Sequence, residues 1–551
     1  MADQNPDDLL RWWETLKGRR AQFDSMWQDI VEMIWPDSAD FTSQRTVQGE
    51  KRTTRQYDPR ATLALEKFAA VLESLLTPRG RRWHRLTSTN EELNKIQRVR
   101  EFWDYSADWL FAQRSNPASR YYSQKHDGYK SSGAFGTDCM FIDQHPTGRI
   151  RYRYCALPNV WVSVNHEGVV DTVFRRMPLA AHQAIKHWGD KAPELAREDM
   201  KKDPFKERDY LHVVMPRTDV DYDRLDFMGM PWASYELAVD GKQLITEGGY
   251  GAWPYPFSRY TRKSDEDYGR GPAALVLPAV RTLNEMKRTH LEAGEQVARP
   301  AMLLPEDGIV GSHDTGEIDM RGGGLIYGGT NDRGDQLMRP LLTGGRLDIS
   351  REMMMDEVDV IEDGFLVSLY KVLFDGPQRT ATEVLELMRE KGHLITPTIG
   401  RQQSEFLGPQ ITRELQIGFD SGQLGALPPE LLEADGEYEI VYESPATEMQ
   451  RADELIGTRR MLETAFALIE RFPGEAAEIQ AMIAVPEVIR LEAEVGGAPA
   501  KVLRGEEEVR ARMAAEAQAA QEREALEALP ALAGAARDAA TAAKTAPELA
   551  A

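Results

Sequence analysis

Cysteine is nearly absent. The 551-residue chain holds two, Cys139 and Cys155. Two thiols in so long a chain do not make the disulfide framework of a small secreted domain, and a reducing cytoplasm is the simpler setting. Long apolar runs are missing too: no window approaches the roughly eighteen apolar residues that span a bilayer. The N-terminus, MADQNPDDLLRWW, lacks the basic stretch and apolar core of a secretory signal. There is no GxxxxGK(S/T), and the glycines at 322–324 and 328–329 lack the following Lys-Ser/Thr of a phosphate loop. Neither HExxH nor paired CxxC occurs, so zinc has no evident ligand set, and no GxSxG elbow is present. His126, His145, His166, His182, His187 and His212 fall at no ligand spacing. Asp265, Glu266 and Asp267 could surround a metal or form a solvated turn. The residues therefore describe a non-enzyme with no metal and no cofactor.

Positive charge is also short. Lys and Arg number 67 against 89 Asp and Glu, a formal net charge of -22. A protein that grips DNA by neutralising phosphates is basic. An acidic one handles DNA only by letting it slide, or has no nucleic-acid role. Hydrophobic content of 42% and charged content of 28% are ordinary for a soluble chain. The length allows two to four domains.

What is present reads as mixed helix and sheet. Residues 8–35 form an amphipathic helix with Leu9, Trp12, Leu16, Phe23, Trp27, Ile30, Ile34 and Trp35 on one side, ended by Pro36. A second helix follows Asp58-Pro59 and stops at Pro78 and Gly80. Arg79, Arg81, Arg82 and Arg85, interleaved with Trp83 and His84, make either a nucleic-acid patch or a turn whose arginines pair with carboxylates. Residues 91–130 are helical, and SSGAFGTDCMFID (131–143) switches to strand. Two-residue alternation then predicts strands near 150–154, 159–164, 169–174, 210–215, 233–238 and 242–247, with turns at Gly168 and Asp240-Gly241 and a helix at 180–200. Cys139 and Cys155 flank a hairpin as core residues.

From Asp267 the pattern becomes an out-and-back hairpin. One helix starts after Gly271-Pro272 with a stripe of Leu275, Ala279, Leu283, Met286 and Val297. A glycine-rich excursion begins at Arg299-Pro300, and a return helix carries Leu347, Met354, Val358, Ile361 and Phe365. After Gly376-Pro377 a long helix is kinked by Pro397 and Gly400 and bent at Gly408-Pro409. A strand is expected at Tyr438–Tyr442 and helices at 449–472 and 474–495. The alanine-rich residues 506–551 are either a helix stabilised by neighbouring copies or a partly disordered end.

Five stretches carry a resemblance: DPRATLALEKFAAVLESLLTPRGRRWHRL (58–86), SSGAFGTDCMF (131–141), DYGRGPAALVLPAVRTLNEM (267–286), RPAMLLPEDG (299–308) and RTATEVLELMREK (379–391). Together they resemble the phage portal proteins, or head-to-tail connectors, of the short-tailed phage type. The resemblance implies an α+β, mainly helical portal fold with wing, two-helix stem, small α/β clip and helical C-terminal crown. Carried over, 1–266 hold the N-terminal helices and antiparallel-sheet wing, and 267–297 are the first stem helix. Residues 298–346 become the clip, 347–370 the second stem helix and 371–380 a tunnel loop facing DNA. Residues 381–496 become the long kinked wing helix with its followers, and 497–551 the crown or barrel.

The stem residues so implied are Leu283, Met286, Lys287, Met354, Val358 and Ile361. The tunnel loop takes Lys371, Val372, Leu373, Phe374, Asp375, Gly376, Pro377, Gln378 and Arg379. Arg299, Pro300, Arg321, Gly322, Tyr327 and Arg333 in the clip would dock terminase and then a tail adaptor. Lys371 and Arg379 are transient phosphate contacts or partners of nearby acids. The resemblance further implies a ring, usually of twelve copies, at one capsid vertex of the virion, assembled in the host cytoplasm. Double-stranded DNA would enter through it, driven by the terminase large subunit, and later leave. Major capsid and scaffold proteins would surround it, and no membrane is involved. In such a ring the -22 charge favours passage of DNA over grip. The competing readings are a DNA-processing enzyme or motor subunit, and a scaffold or adaptor with no channel.

Overall fold

The computed structural model describes residues 5–42, 56–146, 148–303, 333–336, 338–340, 347–373, 396–433, 436–443, 445–472, 482–489 and 509–520, with a few isolated residues between them. Helix and sheet are mixed, and the chain divides into two compact units. The first comprises residues 1–79 and 113–417, the second 80–112 and 418–551.

A five-stranded antiparallel sheet centres the first unit, in the order Val160–Val164, Val170–Ala180, Glu207–Pro216, Trp232–Ala238 and Gln243–Tyr250. Sequence alternation forecasts all five strands. The turns fall where glycine tolerates positive φ, at Gly168 (φ 79) and Gly241 (φ 85). The N-terminal helix Pro6–Met33 lays Leu9, Trp13 and Leu16 on one face of the sheet, against Trp161, Phe174, Leu211 and Val213. A second core joins Trp188 and Ala196, from the helices Ala181–Trp188 and Glu194–Lys202, to Tyr210 and Ile245. A smaller sheet pairs Thr137–Gln144 with Ile150–Tyr154 on one side and Phe257–Arg259 on the other. Residues 131–135, expected in a strand, instead finish the helix Tyr121–Phe135. The switch to strand waits for Gly136, whose left-handed φ of 75 caps the helix.

That cap is also where the hairpin is rooted. The first hairpin helix runs Pro272–Ala298, with Gly271 as its N-cap residue. A Cβ on Gly271 would run into the Gly133 carbonyl and the Gly136 amide, and one on Gly136 into the Arg270 and Gly271 backbone. A Cβ on Gly269 would meet the Gly136 carbonyl. The two glycine-bearing stretches SSGAFGT and YGRGP therefore lie backbone against backbone. Tyr260 N donates to the Gly136 carbonyl at 2.8 Å, and Gly269 N to Thr137 Oγ1 at 3.1 Å.

The return helix covers Leu347–Gly364 and is broken at Leu366, whose φ is 56, before a short helix Val367–Leu373. Met354, Val358, Ile361 and Phe365 are buried. In the outgoing helix the buried residues are Ala273, Val276, Leu277, Val280, Leu283 and Asn284, one helical stripe. Leu275 and Val297, expected in that stripe, are 78% and 64% exposed. Leu275 lies about 140° around the 3.6-residue turn from the centre of that stripe. Farther along, Gln403–Leu407 is a π turn just ahead of Gly408–Asp420. Pro409 has no N–H to give, so the extra residue absorbs the bend expected there.

Charge is buried in the first unit. Arg114 and Glu414 side chains are both fully inaccessible and joined by a fork of hydrogen bonds, including Nε to Oε1 at 3.2 Å. Tyr152 Oη donates to Glu414 at 2.7 Å and Gln410 Nε2 at 2.9 Å, so the carboxylate is saturated. Lys125 meets Asp138 at 2.6 Å and lies 3.2 Å from the Phe406 ring centroid. Burial pushes the Lys125 ammonium pKa down and the Asp138 carboxyl up.

Nearer the surface, His126 on helix Tyr121–Phe135 sits 2.9 Å from Glu73 and 3.5 Å from Glu66 on helix Arg60–Leu76. The Glu73 hydrogen bond raises the His126 pKa. Burial alone would raise Glu73, but His126 and Arg79 hold it below the usual value. A raised histidine contributes stability that is complete below its unfolded pKa of about 6.5 and is lost as pH rises through the higher folded value. Glu73 contributes above its unfolded pKa and loses that share as pH falls. Urea unfolding of the full chain should therefore show stability falling by about 1 kcal/mol from pH 6 to pH 8 at this contact. His126→Gln should flatten that part of the profile, and an unchanged slope would contradict the assignment.

In the second unit, His84–Ser88 pairs antiparallel with Tyr438–Tyr442. The second of these strands was legible from its alternation. Trp83 and Trp103 are buried there, with Trp103 5.6 Å from Tyr438 between ring centroids. The helices Pro429–Glu433 and Pro445–Arg471 follow the same unit.

Candidate functional site

His212 Nδ1 lies 2.6 Å from Tyr255 Oη, and its Nε2 lies 2.9 Å from Ser234 Oγ. The geometry is that of a base between two hydroxyls, but His212 is 4% exposed and Tyr255 fully buried. Burial pulls the imidazole pKa down to about 4, so it stays neutral and ties strands together. Among the described residues no group of His, Cys, Asp and Glu is arranged to hold a metal ion, and no helix is long and apolar enough to cross a membrane.

Arg79, Arg82 and Arg85 of the arginine cluster sit in ion pairs. Arg79 meets Glu73 at 2.6 Å in the first unit. In the second, Arg82 meets Asp108 at 3.1 Å and Arg85 meets Glu443 at 3.3 Å. These guanidiniums are answered by carboxylates within the chain. Glu266, in the acidic triplet, likewise pairs with Arg270 at 2.6 Å.

The hairpin is the remaining candidate. Gly364 lets the two helices approach, because a Cβ there would strike Val276. Arg281 pairs with Asp29 at 2.5 Å, and Asn284 accepts a hydrogen bond from Tyr57 N at 2.6 Å. Phe365 packs 6.2 Å from Phe68 between centroids. The root is thus fixed to the N-terminal helices. Beyond it, no residue from Glu285 to Arg299 is buried.

Of the stem residues named from sequence, Leu283, Met354, Val358 and Ile361 face inward, while Met286 and Lys287 are half-buried. Sequence reasoning missed the apolar residues that stay about half exposed on the hairpin: Leu291, which continues the line of the outgoing helix's buried stripe, and Met353 with Val360 on one flank of the return helix and Met355 on the other. The run of three methionines at 353–355 was the available signal, since consecutive residues on a helix cannot share one face.

Two other expectations fare differently. Lys371, Val372 and Leu373 are helical rather than part of a loop, because Val367 and Leu369 are buried and carry the helix on. Lys371 donates to Glu362 at 2.5 Å, the ion-pair alternative for that residue, and the partner raises its pKa. Phe374, Asp375, Gly376, Pro377, Gln378 and Arg379 lie outside the described residues. So do Arg321, Gly322 and Tyr327 of the excursion. Arg299 closes the outgoing helix and is followed by Pro300, and Arg333 sits in a turn bracketed by the Thr330–Gln336 bridge. Met302-Leu303 pairs antiparallel with Arg339-Pro340, so the excursion leaves and returns side by side.

Comparison with known proteins bears on this arrangement. The family described as "Bacteriophage head to tail connecting protein" matches residues 7–503. A "Probable portal protein" of Bordetella phage BPP-1 is 27% identical over 465 residues, covering 82% of this chain and 81% of the relative. A "Portal protein" of Salmonella phage epsilon15 is 22% identical over 537 residues, covering 94% and 93%. With a match across nearly its whole length, the chain belongs to the bacteriophage head-to-tail connecting proteins, the portal family, whose members are structural parts of the virion and not enzymes.

Proposed function

We propose that copies of this chain close into a ring at one capsid vertex, twelve in number as the family resemblance suggests, and that the hairpin helices form the wall of its channel. Genome DNA would enter and leave through that channel. The observation that carries the reading is the two-sided hairpin. One stripe (Val276, Val280, Leu283 with Met354, Val358, Ile361) is buried within the chain, while Leu291, beyond the buried part of that stripe, and Met353 and Met355, on the two flanks of the return helix, each stay about half exposed. A ring joins one face of each copy to a different face of the next, which gives the two exposed flanks their use.

The excursion 298–346 would dock terminase and later a tail adaptor. Residues 371–380 would narrow the channel. The -22 charge per copy would keep DNA from adhering to the wall. Sedimentation velocity of the full chain tests the assembly. We expect one dominant species of about twelve times the 62.2 kDa chain mass. The double variant Leu291→Glu with Met355→Glu should sediment as the single chain. A wild type that stays monomeric, or a double variant that still forms the large species, contradicts the proposal.

A further inference from the structure

A recess of about 250 Å³ opens in the first unit, away from the hairpin. It arises because the strand Val170–Ala180 outruns its neighbour. Val160 pairs with Arg175, and beyond that point the strand is paired on one side only, by residues 207–211. Arg153, Cys155, Asn159, Arg175, Arg176 and Leu179 stand on the wall of the gap. No Asp or Glu lines it, in a chain that carries 89 of them.

The three guanidiniums are unequally engaged. Arg176 is held by Asn159 Oδ1 at 2.9 Å and lies 3.8 Å from Asp209. Arg175 is 8% exposed, and its polar neighbours are Tyr255 and the two thiols, none of them a carboxylate. Arg153 makes no ion pair among the described residues. Its pKa is held below the usual value by partial desolvation and by the like charges of Arg175 and Arg151. Two like charges side by side with no counter-charge are unfavourable until an anion arrives.

We propose that this recess is a binding site for a phosphate-class oxyanion, with Arg153 and Arg175 as its principal ligands. The volume is below that of sites for drug-sized molecules, roughly 300–1,000 Å³, and suits one tetrahedral oxyanion with its water. A guanidinium fork matches such oxygens in two-point geometry. Cys155 reports on the site. Burial would raise its thiol pKa, but Cys139, Arg175 and Arg153 bring it down to about 7. A bound oxyanion would cover the thiol and reverse the arginines' effect on it.

The test is alkylation of the full chain by iodoacetamide at pH 7.5, followed by peptide mass mapping. Inorganic phosphate is compared with chloride at matched ionic strength. We expect phosphate to slow Cys155 alkylation about fivefold or more, and Arg153→Gln to need about tenfold more phosphate for the same protection. A short DNA duplex forms a second arm. Protection by duplex as well as by phosphate assigns the site to backbone phosphate, and protection by inorganic phosphate alone assigns it to the free ion. Equal rates in phosphate and chloride overturn the proposal, as does protection unchanged in Arg153→Gln. If the thiol is unreactive in both salts, the readout becomes a phosphate-dependent rise in thermal midpoint that Arg153→Gln removes; no rise overturns the proposal equally.

Discussion

Replacing Glu414 with glutamine is expected to destabilise the first unit by about 3–5 kcal/mol, the cost of stranding a buried charge. Arg114 would keep its charge with no exposed surface to hydrate it. Tyr152 and Gln410 would each face an amide where they now meet a carboxylate. Size barely changes in this substitution, so packing loss is not the cause. A second variant separates charge from structure. Arg114→Met with Glu414→Leu removes both charges, and such exchanges are often neutral or stabilising. We expect the double variant to recover most of the loss in urea midpoint. A Glu414→Gln midpoint within error of wild type would mean that the pair is not sealed from water.

The second large effect is expected at the hairpin root. Gly136→Ala must place a Cβ at a φ of 75 and against the Arg270–Gly271 backbone, neither of which can yield cheaply. The left-handed conformation alone costs about 1–2 kcal/mol for an L side chain. The collision adds about 1–3 kcal/mol of overpacking. Gly425 provides the control, having a φ of 74, close to that of Gly136, with open space around its missing Cβ. Gly425→Ala should therefore show the positive-φ cost without a collision. Equal losses at the two sites would mean that the backbones do not meet as described. A larger loss at Gly136 should also slacken the hairpin, raising amide exchange over Ala273–Leu283.

Much of this architecture was legible because its signals are local. Alternation marked the strands around Val162, Val213, Leu237 and Ile440, and apolar spacing marked the N-terminal helix. Trp13, read with Trp12, Trp27 and Trp35 as a core residue, is the fully inward ring of its adjacent pair, and Trp12 is only partly buried. The outgoing hairpin helix was legible as amphipathic, yet its stripe was placed off-centre. Leu275 and Val297 are large and apolar, and pattern alone cannot say that they stay exposed. The glycines of SSGAFGT and YGRGP were read as two separate stretches. Only the fold shows that Gly133, Gly136, Gly269 and Gly271 remove side chains from one junction.

Contacts across long separations were beyond reach. Arg114 and Glu414 are 300 residues apart, and each looks like an ordinary charge on an amphipathic helix. The same holds for residues 80–112, which join the compact unit of the C-terminal region although sequence order placed them with the first sheet. Strand Tyr438–Tyr442 was recognised from its pattern and a strand entry at Trp83–Leu86 was read as well, but that the two pair with each other could not be. The anion recess was equally hidden, since it depends on one strand ending before its neighbour.

The central claim is that the hairpin forms the wall of a channel through a closed ring. Electron cryo-microscopy of the purified full chain at increasing concentration tests it most directly. The account predicts annular particles with an open axis, in which Pro272–Ala298 and Leu347–Gly364 of every copy face that axis or the adjoining copy. Single chains and irregular aggregates at every concentration, or rings that carry these helices on the outer rim, would contradict it.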